Sequence, residues 1–193
     1  MCKATLILAA GGSKRLQRPK QLLLWNDYTL LEHCINKVIK TTTHTFVVTG
    51  AYQDQVHVVI DSSAAQPLHH KNWQNGLGSS ISFGINQIIQ KLPEVQKIMV
   101  VLADMPLVSK SHLEALWKVS NQANIIISQF QDIKGVPAIF DRSVFPQLLQ
   151  LTGDEGAKNI IRENKDSIHI VASEQLFFDV DTEENYTELL NIR

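Results

Sequence analysis

The chain has 193 residues, 44% of them hydrophobic, which is enough for one domain with a real core. Charged residues make up 19% and the formal net charge is −1, which argues against duplex nucleic acid as the main partner, because non-specific binding to it needs a net basic face. Two cysteines, Cys2 and Cys34, are too few for a disulfide framework, and no stretch approaches the roughly 20 apolar residues of a membrane span, so a soluble cytoplasmic protein is expected.

The first predicted strand covers residues 5–10. The run is short for a secretory leader and no cleavage-like region follows it. It stops at Gly11-Gly12. Lys14, Arg15, Arg18 and Lys20 then follow, with Pro19 directly before the last of them. A strand ending in a glycine turn lets bare backbone N–H groups approach a ligand. Nearby Arg and Lys add full positive charge for phosphate oxygens. The segment Leu8-Ala9-Ala10-Gly11-Gly12-Ser13, with Arg15 and Lys20, therefore reads as a nucleoside triphosphate site. It is neither the P-loop pattern nor GxGxxG, and a solvated basic loop after a glycine turn would share these features.

Apolar β-rich runs then alternate with helical patterns. A helix is predicted over residues 30–40, a strand over 45–49, a short helix over 53–60 and a short strand over 67–70. A helix over 79–92 is opened by Gly78-Ser79-Ser80, where hydroxyls and helix N-terminal N–H groups are available to a ligand as well as to a cap. The run over 98–103 is the clearest buried strand. It ends in Asp104, which suits either a metal ligand on a ligand-binding rim or the first residue of a turn before Pro106.

A helix over 111–120 follows, with Ser109 or Ser111 as its cap. Strands over 124–130 and 136–140, helices over 143–151 and 155–163, strands over 168–172 and 176–180, and a helix over 183–190 complete the pattern. Asp179 and Asp181 close the last strand and share a face by period-two alternation. Hard oxygen donors of this kind suit Mg²⁺. The run Asp181-Thr182-Glu183-Glu184 also reads as a helix cap with an acidic first turn. Adjacent His69 and His70 face opposite sides and cannot easily chelate one metal, and Trp25, Trp73 and Trp117 read as core or rim packing rather than stacking platforms, with Trp73 close to the nucleotide segment. The alternation predicts an α/β fold: a single three-layer α/β/α domain over residues 1–193, with a mostly parallel sheet and the ligand at the C-terminal ends of its strands.

Five ordered segments carry a resemblance that spans nearly the whole chain. They are LAAGGSKR with PKQLL, NGLGSS, LADMP, the pair KGVPA and GDEGA, and the closing DVDTEENY. Together they resemble the nucleotidyltransferase family that contains the molybdenum cofactor cytidylyl- and guanylyltransferases. The resemblance implies a Rossmann-like, GT-A-like fold and transfer of a nucleoside monophosphate from a triphosphate to a phosphorylated acceptor, with release of pyrophosphate. It implies Mg²⁺ held by Asp104 and Asp181, with Asp179 the second choice. Arg15 and Lys20 would hold the β- and γ-phosphates, the backbone of Ala9 to Gly12 would wrap the nucleotide, and Gly78, Ser79 and Ser80 would neighbour the base or ribose. Gly135, Val136, Pro137, Gly153 and Asp154 correspond to the acceptor side.

LAAGG followed by PK resembles the cytidylyl branch, which points to CTP, with molybdopterin as acceptor and a molybdoenzyme or cofactor-insertion protein as a further partner. Val136 stands where the cytidylyltransferases typically carry His. That departure keeps GTP or a different phosphorylated metabolite open, beside a non-catalytic nucleotide-binding module.

Overall fold

The computed structural model describes residues 1–173 and 178–192. In chain order its elements are β1 (Cys2–Ala9), a small hairpin of β2 (Leu24–Trp25) and β3 (Tyr28–Thr29), α1 (Leu30–Val38), β4 (His44–Thr49), α2 (Gln53–Asp61), β5 (Gln66–His69) and α3 (Leu77–Lys91). Then come β6 (Val95–Leu102), α4 (Lys110–Lys118), β7 (Ile125–Phe130), β8 (Ile133–Asp141), α5 (Phe145–Leu148), α6 (Lys158–Glu163), β9 (Ile168–Ala172) and α7 (Glu183–Asn191). Among the described residues no helix is long and apolar enough to cross a membrane.

The main sheet has seven strands in the order β5-β4-β1-β6-β8-β7-β9. β1 pairs in parallel with β4 and β6, β4 with β5, and β7 with β9. β8 is antiparallel to both its neighbours, so the sheet is mostly parallel with one reversed strand. The reversal follows from the connection: β7 and β8 are joined by a tight turn through Gln131, at φ 50°, and a turn that short can only join antiparallel strands.

Helices cover both faces. Leu6, Leu8, Phe46, Val48, Ile98 and Val100 pack toward Ile81, Ile85 and Ile88 of α3 and toward α5 and α6. Their neighbours in sequence, Ile7, Ala9, Val47, Met99 and Val101, pack toward α1, α2 and α4. Two-sided burial is why β1, β4 and β6 read as near-continuous apolar runs. A third apolar cluster joins Leu16, Leu23 and Leu30, near the start of the chain, to Phe178, Val180 and Leu189, near its end. It ties the loop after β1 to α7.

Caps set several helix starts. Thr29 and Glu32 form a capping box on α1, and the Ser109 hydroxyl accepts from His112 N at 3.2 Å to open α4. The Thr182 hydroxyl accepts from Asn185 N at 3.2 Å, so α7 starts immediately after Asp181.

Several boundaries differ from the sequence expectation. The helix expected over 143–151 is a 3₁₀ turn followed by the four-residue α5. The helix expected over 155–163 starts only at Lys158, because Gly156 takes a left-handed conformation at φ +58°. Of the strand expected over 176–180, residues 176 and 177 lie outside the described residues, and 178–180 are not in a strand. The β2–β3 hairpin was not expected; it turns through Asn26 at φ 53°, a conformation Asn tolerates better than most residues.

Candidate active site

The C-terminal ends of β1 and β6 lie side by side, with Ala103 N donating to Leu8 O at 3.2 Å. Beyond them opens a cleft of about 510 Å³. Leu8, Ala9, Ala10, Gly11, Gly12, Ser13, Arg15, Lys20, Ser80, Asp104, Asp154 and Asp181 all line it. The rim is thus where a parallel sheet places a ligand.

The loop after β1 is closed on itself. Ser13, at φ 50°, accepts at its carbonyl from Gln17 N (2.9 Å) and at its hydroxyl from Lys20 N (3.1 Å). This folds the basic segment back over the cleft. On the opposite side, Val180 N donates to Asp104 O at 3.3 Å. That single backbone bond sets the segment 179–181 against the end of β6 and brings Asp104, Asp179 and Asp181 to one wall. Both residues of the closing acidic pair line the cleft, although the strand expected to align them is not formed at 178–180.

The cations and carboxylates meet. Lys20 Nζ donates to Asp104 Oδ2 and, at 2.6 Å, to Asp181 Oδ1. Arg15 Nη2 donates to Asp181 Oδ2 at 2.9 Å. Just outside, Arg18 makes a bidentate pair with Glu183, at 2.9 and 2.7 Å. Burial opposes the charge on Lys20, but Asp104 and Asp181 outweigh it and hold the ammonium above the usual lysine range. Burial likewise works against the Asp181 carboxylate, and Lys20 and Arg15 reverse the effect and hold it below the usual range. Asp179 touches solvent in the cleft but is crowded by protein elsewhere. That crowding, with Asp104 and Asp181 close by, pushes its pKa up to about 6.

The donor set fits a hard divalent cation in its chemistry. Mg²⁺ uses one or two carboxylates and takes its remaining ligands from water and substrate phosphates. Asp104 and Asp181 supply such a pair, and the Lys20 ammonium already holds a cationic charge between them. Among the described residues no group of three or more His, Cys, Asp or Glu side chains is arranged as a ready-made metal cage.

Other residues singled out from the sequence do not line the cleft. Gly78 is buried in the first turn of α3, where its N–H donates to Gly153 O at 2.8 Å. Gly153 itself, at φ +65°, packs under Gly76, where an added Cβ would lie 2.4 Å from the Gly153 carbonyl. The Ser79 hydroxyl bonds His70 Nε2 at 2.9 Å. Gly135, Val136 and Pro137 sit in β8, where Pro137 O accepts from the Ser128 hydroxyl at 2.6 Å and Val136 packs against both large apolar cores. Packing accounts for Gly78 and Val136 and the left-handed backbone for Gly153, while nothing in the structure requires glycine at 135.

Trp73 and Gln21, which the sequence did not mark as site residues, line the cleft, as do Lys14, Gln74, Gly76 and Leu77. Trp73 was read as packing, and it does pack: its ring lies 2.7 Å from where a Gly12 Cβ would sit, and its Cβ 2.6 Å from where a Gly50 Cβ would sit. The same indole also forms part of the cleft wall. Gln21 is buried; its Nε2 donates to Ala9 O at 3.3 Å, while Oε1 has no hydrogen-bond partner among the described residues. A Gln directly after Lys20 was the only signal available for it.

A model of the MobA-like NTP transferase domain matches residues 5–168. The chain belongs to that family. The matched segment ends before Asp179 and Asp181. The bifunctional protein GlmU of Francisella tularensis subsp. novicida is 28% identical over 170 residues, which is 84% of this chain and 35% of that protein; the chain thus spans about a third of the length of the curated relatives it matches.

Rv0371c from Mycobacterium tuberculosis H37Rv shares the fold, with a TM-score of 0.86, 24% identity and full coverage of both chains. The same protein in complex with manganese aligns with a TM-score of 0.82 and 23% identity, again over both full chains. The MobA-like domain of this chain thus sits on a Rossmann-like α/β fold.

Proposed function

We propose that this nucleotidyltransferase, acting as one domain, moves CMP from CTP to a phosphorylated acceptor in the cytoplasm and releases pyrophosphate. Molybdopterin, in its molybdenum form, is the acceptor favoured by the sequence resemblance. The observation that carries the reading is the meeting of Arg15 and Lys20 with Asp104 and Asp181 in a single cleft at the end of β1 and β6.

The chemistry needs little covalent help. An acceptor phosphate oxygen attacks the α-phosphorus of CTP, the bond from that phosphorus to the bridging oxygen of the β-phosphate breaks, and pyrophosphate leaves. The acceptor is already an anion and requires no general base. The task of the protein is positioning and charge neutralisation. Arg15 and Lys20 take up the β- and γ-phosphates and balance the charge on the leaving group. The backbone from Ala9 to Gly12 wraps the nucleotide, and Ser80 and the Trp73 indole close the far wall. Asp104 and Asp181 would hold Mg²⁺, which when bound offsets the repulsion between the two anionic reactants.

Incubation with each NTP, Mg²⁺ and candidate acceptors, with pyrophosphate measured, tests the reading. Turnover with CTP and molybdopterin is expected; no release from any pairing, by folded protein that binds nucleotide, overturns it. Asp104→Ala is expected to lower turnover by at least the 10²–10³-fold typical of a lost charge-stabilising contact, about 2.7–4 kcal/mol, without loss of fold.

A second reading keeps the donor side and changes the acceptor to a sugar phosphate or another small phosphorylated metabolite, with GTP or another NTP as the donor. Val136 favours it, because an apolar residue packed in β8 offers an acceptor no polar contact.

A further inference from the structure

Lys20 does two things that conflict. Its sequence position, after a glycine turn and among other cations, makes it a phosphate ligand. Its observed position makes it the counter-ion of Asp104 and Asp181, with one ammonium hydrogen-bonded to both. A divalent cation and this ammonium cannot share that place without strong repulsion. At a few ångströms, in a cleft of intermediate dielectric, one unit charge changes the binding of another by well over tenfold.

Resting on the reading above, we propose that Lys20 is a built-in counter-ion that keeps the Asp104–Asp181 pair closed to a free divalent cation until a triphosphate draws the ammonium away, so that metal and nucleotide enter together.

Three further features support the exchange. Lys20 is anchored by its backbone, through Ser13 Oγ at 3.1 Å, so the ammonium can move on its flexible four-carbon stem while the loop stays in place. Arg15 is a second cation on Asp181 at 2.9 Å, and its exposed side chain is equally free to turn to phosphate. The side chains of Lys20 and Asp104 are only 21% and 10% exposed, so the pair is shielded from the solvent screening that makes a surface ion pair weak. The swap conserves pairing: carboxylates pass from ammonium to metal, and the ammonium passes from carboxylates to phosphate oxygens. Neither side is left as an unpaired charge in the cleft.

The test is equilibrium dialysis of the full chain against Mn²⁺, a divalent ion already found in one protein of this fold. It is run without nucleotide and with CTP, on the wild type, Lys20→Met and Lys20→Gln, with thermal unfolding recorded to confirm folding. The wild type is expected to retain Mn²⁺ weakly alone and tightly with CTP. Both variants are expected to bind Mn²⁺ alone at least about tenfold more tightly than wild type, and CTP more weakly.

A lysine that only bound phosphate would lower CTP affinity and leave binding of Mn²⁺ alone unchanged. That result, with wild type retaining Mn²⁺ in the presence of CTP, overturns the inference and spares the functional reading. Wild type binding Mn²⁺ equally well with and without CTP also overturns the inference. No retained Mn²⁺ in any arm overturns the metal assignment itself. If Lys20→Met does not fold, Lys20→Gln, which keeps a hydrogen-bond donor, carries the variant arm, and the nucleotide dependence of the wild type needs no variant.

Discussion

A bare glycine at position 12 matters because of what lies over it. An added Cβ would stand 2.7 Å from the far edge of the Trp73 ring, and Gly50 leaves room for the same side chain from below. Gly12→Ala must tilt the indole, and overpacking of this kind costs about 1–3 kcal/mol. The expected outcome is nucleotide affinity reduced by about tenfold or more, read from the tryptophan fluorescence change on titration with CTP; an unchanged affinity would detach the indole from the site. Gly11 provides the contrast, since an added Cβ there meets nothing within 4 Å. Gly11→Ala is expected to lower affinity less than Gly12→Ala in the same titration.

At this scale the sequence was legible where residue identity alone carries the chemistry. Gly11-Gly12, Arg15, Lys20 and Asp104 were marked as site residues and all line one cleft. Trp73 was not so marked, because its role comes from contacts with segments distant in sequence. Between Asp179 and Asp181 residue type alone does not choose, and the family resemblance favours Asp181; in the structure Lys20 and Arg15 both pair with Asp181.

Among the elements, α3 shows how local preference and packing can oppose each other. Gly84 lies in the middle of that helix, where Ala would improve helix propensity by about 1 kcal/mol. An added Cβ would, however, stand 2.6 Å from Leu6 Cδ2 and 2.9 Å from Val48 Cγ2, both in fully buried side chains of the sheet. A close-packed interior cannot give way by that much at little cost, so the packing penalty wins. Gly84→Ala is expected to destabilise the protein by about 1–2 kcal/mol in urea unfolding; a gain in stability would show that α3 can lift from the sheet.

Element type was legible for the long apolar strands and for helices with a clear stripe or cap, such as α1 and α4. Between residues 143 and 163 it was legible only in outline. Apolar spacing there suggests two full helices, but Gly153 and Gly156 adopt left-handed backbone and shorten the helical run. The reversal of β8 was invisible as well. Its sequence shows a strand, and direction depends on the turn that precedes it.

For the molecule as a whole, the buried histidines are expected to weaken the fold in mild acid, opposed over the same window by Asp179, whose raised pKa of about 6 lets the native state take up a proton first. Burial holds His112 below the usual histidine range; its Nε2 hydrogen-bonds the Ser128 hydroxyl at 2.8 Å, where α4 packs on the sheet. Burial, helped by the charge of His69, does the same to His70. In the unfolded chain both protonate near pH 6.5, whereas in the native state they resist. The unfolded state therefore binds more protons as pH falls, and stability drops with it from about pH 6.5 downward. The histidine contribution should leave the unfolding temperature level near pH 7 and lower it between about pH 6.5 and 5, with a smaller fall in His112→Gln. An equally steep fall in that variant would exclude His112 as a source.

The three-layer plan was readable from the alternation of elements, and the position of the cleft from the ends of β1 and β6. What the sequence did not show was that the segment after β1 is covered by residues 178–189. Leu16, Leu23 and Leu30 are covered by Phe178, Val180 and Leu189, and the same contact delivers Asp179 and Asp181 to the cleft. During synthesis, a copy that stopped short of Phe178 would carry the basic loop without two of its acidic partners, and an apolar patch with nothing over it. Such a fragment would be inert and adhesive, the profile that chaperones and proteases recognise. The acidic wall of the cleft and the cover over that apolar patch thus arrive together, with the segment from Phe178 to Leu189.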